Sequence, residues 1–256
     1  MVKREIKEKF PFSGIEKYVE GVFRKHVFDL PLLHDANIYP QVHATMNDWE
    51  LTSTENAMPY LPSQQDPVKL TLGIHDLTNI SLPTFSSTNI NKYMRYKRGH
   101  IFNTGSNVCS LDFAPKTTLI DSNPLIHFLA TGGYKERNEL HSFETQQQGY
   151  QNCIQLWNCD LNTTRSEDQV SAPHLDLCLL HDFGHVRALK WCPYGAYEEN
   201  LDSDMDDNSS IPKLGILAAC FGDGTVRILV IPHPDILRSR LDINHQEPIY
   251  CKFSLL

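Results

Sequence analysis

The chain has no apolar run approaching the roughly 20 residues that a membrane-spanning helix needs, so none of its 256 residues reads as a transmembrane segment. Its first ten residues, MVKREIKEKF, carry charge but no apolar h-region and are not a secretory signal. Positive charge is not in surplus: 23 Lys and Arg stand against 31 Asp and Glu, for a formal net charge of −8. That balance argues against a general nucleic-acid coat, which depends on excess Lys and Arg. Paired Cys-x-x-Cys motifs are absent, and the seven cysteines are odd in number. Cys109, Cys153, Cys192 and Cys220 fall in apolar strand patterns, where reduced thiols pack as small hydrophobes. The expected compartment is therefore reducing, cytosol or nucleus, and matches such as Asn79-Ile80-Ser81 carry no glycan there. No Gly-x-Ser-x-Gly elbow and no carboxylate pair in a recognisable pocket appears. An enzyme reading has nothing to stand on, and no cofactor is expected.

What is present is a repeat. Val108, Leu111, Phe113 and Pro115 recur in register as Val186, Leu189, Trp191 and Pro193. Each set is followed by a short apolar strand ending in glycine, FLATGG at 128–133 and ILAACFGDG at 216–224. Each of those is followed by an alternating strand, CIQLW at 153–157 and TVRIL at 225–229. Three short strands in a fixed order, occurring twice, are the mark of β-propeller blades of the WD-repeat kind. The expected fold is all-β: a partial propeller of about two blades plus a sealing strand, with an irregular N-terminal arm.

Residues 1–66 form that arm. Val2, Ile6 and Phe10 have helical spacing, but Pro11 ends the pattern, and a frayed tail is the preferred reading. From 11 to 66 scattered prolines and aromatics, Trp49 and Tyr60 among them, suggest a segment that wraps over something such as a partner subunit. Residues 67–256 form the propeller portion, with blades over about 100–183 and 184–256. VKLTLG at 68–73 alternates and is assigned to sealing the ring, because closure removes sheet edges. HLDLCLLHDF at 174–183 suits the outer strand of the first blade and EPIYCKFSLL at 247–256 that of the second. The repeats lie 78 residues apart (186 − 108), against about 40–45 for a plain WD repeat. Polar inserts at 116–124, 134–151 and 160–173 supply the excess. TQQQGYQN within the second insert is expected to be an exposed loop, and the acidic insert at 196–213 to be disordered. Two blades cannot bury both faces of each sheet, so the chain reads as a truncated piece of a ring, or as one completed by a partner.

The constellations that imitate chemistry mostly fail. FGDGT at 221–225 lacks the Lys-Ser or Lys-Thr of a phosphate loop and is followed by a strand, so Asp223 and Gly224 read as a hairpin turn. His174, Cys178, His181 and His185 have zinc-like spacing, but a strand over 174–180 turns His174 and Cys178 one way and His181 the other. Strand packing is preferred and no metal is expected. His181 or His185 is the candidate blade histidine, and the spacing leaves the choice open. Asp202, Asp204 and Asp206 open like an EF-hand loop, but Asp207 stands where glycine is needed and Lys213 where a bidentate Glu belongs. Ser203 is an acid-flanked phosphorylation candidate. KYMRYKRGH at 92–100 interleaves Lys92, Arg95, Lys97 and Arg98 with Tyr93 and Tyr96. That pattern suits nucleic-acid backbones and bases, and equally a solubilising loop.

NTGSNVCSLDFAP at 103–115, GHVRALKWCPYGA at 184–196 and LGILAACFGDGTVRILVIPHP at 214–234 together resemble the WD-repeat subunits of transcription factor IIIC, over about residues 66–250. The resemblance implies a nuclear, non-catalytic scaffold in a complex that recognises the B box of transfer-RNA genes for RNA polymerase III. It also implies a seven-bladed ring, a second propeller subunit and a large DNA-binding subunit as partners, with DNA met mainly through the complex. Thr131, Trp157, His181, His185, Trp191, Asp223 and Gly224 are the structural blade residues it singles out. The pattern is incomplete: Trp157 is followed by Asn158, Leu229-Val230 replaces the dipeptide in the second copy, and Ala219 falls where the first copy has Thr131. Neither copy has the full internal hydrogen-bonding set. The alternative is a generic WD-repeat adaptor in another complex.

Overall fold

The computed structural model describes residues 39, 41–63, 66–94, 97–115, 126–136, 139, 145–160, 171–193, 195–198, 210–243 and 247–253. The opening helix-or-tail segment, the insert at 116–124 and the acidic stretch around Ser203 lie outside them. In chain order the strands are β1 (Ala44–Thr45), β2 (Trp49–Leu51), β3 (Val68–Leu72), β4 (Thr78–Leu82), β5 (Ser86–Asn89), β6 (His100–Asn103), β7 (Asn107–Phe113), β8 (Ile126–Tyr134), β9 (Asn152–Asp160), β10 (His174–His181), β11 (Val186–Trp191), β12 (Ser210–Ile211), β13 (Lys213–Phe221), β14 (Val226–Pro232) and β15 (Ile249–Phe253). Among the described residues there are also two short α-helices, α1 (Thr54–Ala57) and α2 (Pro234–Leu241), and a few 3₁₀ turns. The protein is all-β, in several sheets, none of them closed into a barrel.

The first repeat folds as an antiparallel meander, β7-β8-β9-β10, and the second as a three-stranded sheet, β11-β13-β14. Alternation explains why these segments are strands: successive side chains point to opposite faces. Ile154, Leu156, Leu177 and Leu179 point toward the second sheet and share one core with Val186, Leu189, Trp191, Leu217, Ala219 and Phe221. The opposite face of the first sheet carries Leu129, Cys153, Trp157, Cys178 and Leu180, and is covered by Ala57, Tyr60, Leu61, Phe85 and Phe102. A β-bulge between Leu175 and Leu177 sets Asp176 apart from the alternation, and this buried carboxylate pairs with Arg238 of α2.

Three expectations are corrected. The strand at 249–253 does not join the second sheet. It runs parallel to β10, with Leu177 opposite Ile249 and Leu179 opposite Cys251, so the proposed boundary at 183/184 does not separate the sheets. The cause is a long-range contact: β10 is apolar on both faces, and α2, pinned by Arg238 to Asp176 and to the Glu247 carbonyl, turns the chain back to that edge. Among the described residues the stretch at 68–73 joins neither repeat's sheet: it pairs with β4 in a five-residue hairpin register, whose turn begins at Gly73 with φ +140. A side chain there would run into the Asp76 carbonyl.

The third correction concerns the arm. Residue 39 and residues 41–61 are not irregular throughout but form a strap over the chain's own two sheets. Ala44–Thr45 pairs with β12, and Trp49–Leu51 adds a sixth strand to the first sheet beside β15. Ser53 then caps α1 by accepting the Asn56 N–H, which is the usual role of serine at that position. From there Ala57, Tyr60 and Leu61 descend onto the face that holds Trp157.

Candidate interaction surfaces

The two repeats meet through polar side chains as well as apolar ones. On β7, Ser110 and Asp112 face away from Leu111 and Phe113, toward β11. Ser110 Oγ accepts the Leu189 N–H at 2.9 Å, and Asp112 Oδ2 accepts the Trp191 N–H at 3.0 Å. The Asp112 carbonyl takes the Trp191 indole N–H at 3.1 Å. Gly132 completes the approach, because a Cβ there would stand 2.7 Å from a Val186 methyl.

Around Gln147 the junction closes a second time. Its side-chain oxygen accepts the His185 N–H at 2.9 Å and lies 2.5 Å from His185 Nδ1, while its N–H donates to the Gly222 carbonyl at 3.0 Å. His185 stacks on Tyr134 with ring centroids 4.3 Å apart. Part of the TQQQGYQN segment is thus packed, contrary to expectation: Gln147 and Asn152 are buried. The Gln147 side-chain oxygen is met by His185 of the neighbouring sheet, while Asn152 donates to the Gly133 carbonyl of its own sheet at 2.8 Å; the Gln147 Nε2 is buried without a partner.

The blade residues singled out from the sequence occupy the same two sheets without forming one hydrogen-bonded set. Trp157 is fully buried, and its indole N–H goes to Gln155 Oε1 at 3.2 Å, while Gln155 donates to the Thr104 carbonyl. Thr131 Oγ1 is buried without a partner. His181 accepts the Phe183 N–H at Nδ1 (3.3 Å), its Nε2 is buried without a partner, and its ring packs on Phe183 and Phe221. Burial holds the His181 pKa down at about 3; Asp182 and Asp223 pull it up, and Arg227 pushes it down. Asp223 Oδ1 accepts both the N–H and the hydroxyl of Thr225, and Gly224 takes φ +85. Burial works to raise the Asp223 pKa, yet the Thr225 bonds and the Arg227 charge bring it below the ordinary carboxylate value. His181 and Cys178 face opposite sides of β10, and the described residues hold no group of three metal-ligating side chains.

Buried charge recurs behind the second sheet. Lys213, fully buried, pairs with Glu198, which also accepts the Lys213 N–H at 3.1 Å and lies 3.2 Å from His43 Nδ1. Lys213 Nζ reaches the Tyr39 carbonyl at 3.1 Å, so this network fastens the strap to β13. Glu198 and Lys213 stand at the two ends of the insert expected to be disordered, and the structure packs both ends instead. Lone Asp, Glu and Lys residues in alternating strands read as solvent-facing until the neighbouring element is known.

Beside the exposed Val108, Leu111 and Phe113 of β7, two further surfaces stand out among the described residues. The face of the second sheet turned away from the first consists of Ala188, Ile216, Ala218, Val226 and Ile228, half-buried or exposed. These positions repeat Ser110, Phe128, Ala130, Ile154 and Leu156 of the first sheet. Leu156 is 0% exposed at the junction, whereas its counterpart Ile228 is 65% exposed. Large apolar side chains at that exposure mark an interaction face. The second surface is the end of the β5–β6 hairpin, where Lys92, Lys97 and Arg98 are all exposed. Arg95 lies outside the described residues.

No family model matches the chain. It is 28% identical over 140 residues to Transcription factor tau subunit sfc6 of Schizosaccharomyces pombe, covering 55% of this chain and 20% of that protein. It is 28% identical over 195 residues to General transcription factor 3C polypeptide 2 of Homo sapiens, covering 74% of this chain and 20% of the relative. The Pongo abelii protein of the same name matches over the same span. Over these spans the chain is similar to transcription factor 3C subunits. It spans about a fifth of the length of these curated relatives. Nothing in their names denotes an enzyme.

Proposed function

We propose that the chain is a non-catalytic scaffold in a nuclear transcription factor 3C-like complex, supporting B-box recognition and RNA polymerase III transcription of transfer-RNA genes. Its two sheets act as neighbouring blades of a WD-type propeller, whose further blades and partner subunits, a second propeller and a large DNA-binding subunit, complete the assembly. The observation that carries this reading is the open face of the second sheet. It repeats, position by position, the face by which the first sheet already packs on its neighbour, and it offers no catalytic group. Rigid sheets that present loops and faces suit a protein-binding scaffold.

Purification of the endogenous protein through a tag, with identification of the co-purifying chains, tests it. Subunits of the RNA polymerase III machinery are expected, and they should be lost from a Val226→Asp, Ile228→Asp variant whose thermal melt is unchanged. A reproducible set of partners from another process sinks the reading and leaves a generic adaptor.

A further inference from the structure

The two repeats bury equivalent positions unequally. Val108, Leu111 and Phe113 of β7 correspond to Val186, Leu189 and Trp191 of β11, and both strands carry a bulge directly after the valine. The β11 row is sealed against the first sheet, at 0%, 4% and 3% exposure, whereas the β7 row is 36%, 57% and 43% exposed. Phe113 stands opposite Leu129, so the row lies on the face that holds Trp157. Tyr60, Leu61, Phe85 and Phe102 cover that face around Trp157 and Leu180 but leave the β7 margin open.

The second sheet has the reverse deficit. Ile154 and Leu156 are fully buried at the junction, while their counterparts Val226 and Ile228 are each 65% exposed. One chain thus makes a sheet-to-sheet junction once, and presents each half of it again, unfilled, at its two ends.

We propose that copies of this chain associate head to tail, the Val108, Leu111 and Phe113 row of one packing on the Ala188, Ala218, Val226 and Ile228 face of the next. The inference goes beyond the scaffold reading, because it concerns the chain alone and needs no other subunit. The occupant is a second copy because the open row matches, in spacing, bulge and side-chain type, the row that seats on the equivalent face inside the chain. Each partner contributes a different surface, so the contact is heterologous, and symmetry does not limit it to pairs.

The strength of the contact is set by three differences from the internal junction. Within the chain, Ser110 and Asp112 accept the Leu189 and Trp191 N–H groups, and Gly132 admits Val186 closely. On the outward face Ala188, Lys190 and Cys220 stand in those places. The Leu111 and Phe113 N–H groups therefore meet no side-chain acceptor there, and a cysteine side chain stands where Gly132 leaves room. The association is apolar, weaker than the internal junction and reversible.

The test is sedimentation velocity of the whole purified chain between about 5 and 500 μM. The mean mass of the parent should rise with concentration and pass that of a dimer. Leu111→Asp, Phe113→Asp removes the head, and Val226→Asp, Ile228→Asp removes the tail; each variant alone should stay monomeric. Mixed in equal amounts, the two should form dimers and nothing larger, because only one intact head and one intact tail remain to meet. Ala188→Ser, Lys190→Asn, Cys220→Gly rebuilds the internal junction on the open face and should tighten association at least about tenfold, through the restored hydrogen bonds. Thermal melts like the parent's show that each variant is folded. A parent that stays monomeric throughout overturns the proposal and leaves the two faces to other proteins. A head or tail variant that still associates overturns it as well, since like surfaces would then be pairing. So do a mixture that stays monomeric and a rebuilt face that binds no tighter. None of these outcomes depends on which proteins co-purify, so this reading and the scaffold reading fail separately.

Discussion

Asp112 holds Trp191 by both ends of the residue: its carboxylate accepts the Trp191 backbone N–H at 3.0 Å, and its carbonyl accepts the indole N–H at 3.1 Å. The two residues belong to different sheets, so the bond ties the inner strand of one repeat to that of the next. Lys190 also reaches Asp112 at 3.0 Å, but that lysine is exposed, and such pairs contribute little. The charge-assisted bond to a shielded backbone N–H is the term that matters. Asp112→Ala should cost about 1–3 kcal/mol in denaturant unfolding, as expected when a buried donor is stranded. Asp112→Asn keeps an acceptor in place and should cost less than half as much. Equal losses from the two variants would show that the carboxylate charge, not the acceptor, is what the junction uses.

Glu198 is the second point at which one side chain serves several segments. Burial works to raise its pKa, yet its bonds from Lys213 and His43 bring the pKa below the ordinary value. The carboxylate is therefore ionised beside a fully buried ammonium. Glu198→Gln should cost about 3–5 kcal/mol, because Lys213 is left as an uncompensated buried charge. Adding Lys213→Met should recover most of that loss. Hydrogen exchange at residues 39–45 should rise in the single variant, since the strap is fastened there. A single variant as stable as the parent would show that Lys213 reaches solvent.

His181 makes stability depend on pH. Its pKa is about 3 in the folded chain and near 6.5 in an unfolded one, so the fold favours the neutral ring. A depressed histidine contributes fully above the unfolded pKa. That contribution is lost as pH falls from about 6.5 toward 3, because the unfolded chain takes up the proton first. At pH 5 the loss is about 2 kcal/mol, some 1.5 units at 1.36 kcal/mol each. His181→Phe keeps a ring against Phe183 and Phe221 and cannot titrate. Its unfolding free energy should therefore fall by about 2 kcal/mol less than the parent's between pH 7 and pH 5. Parallel pH curves for the two proteins would place the acid sensitivity elsewhere.

How much of this was legible in the sequence depends on whether the signal was local. The strands β7, β9, β11, β13 and β14 show themselves because alternation over five or more residues has one structural meaning, and the turn at Asp223 and Gly224 is set by four neighbouring residues. The position of β15 was not legible. Ile249, Cys251 and Phe253 alternate as well beside β10 as beside β14, and the choice is made by α2 and the Arg238–Asp176 pair, contacts 62 residues apart. The same holds for Gln147, whose polar neighbours hide its burial until Gly184 and Gly222 leave room for it. Asp112 was not legible either: parity sets it beside Ser110 and opposite Leu111 and Phe113, which reads as a solvent face until β11 is known to lie against it. The basic hairpin was visible as composition, but that it stands on Phe102 and Trp157 was not.

The repeat allows a comparison within one molecule. Leu156 and Ile228 occupy equivalent strand positions and are similar in size, yet one is sealed between the sheets and the other faces outward. Leu156→Ala should cost about 2–5 kcal/mol, for lost burial and for the cavity left behind. Ile228→Ala should stay within about 0.5 kcal/mol of the parent, as surface substitutions do. The contrast has a further consequence for the chain inside its complex. If another sheet covers Ile228 there, as the scaffold reading holds, Ile228→Ala becomes costly only in the assembled state. It should then weaken co-purification of partners while leaving the melting of the isolated chain unchanged. If Ile228→Ala destabilises the isolated chain as much as Leu156→Ala does, the outward face is already occupied within this chain, and no partner is needed to cover it.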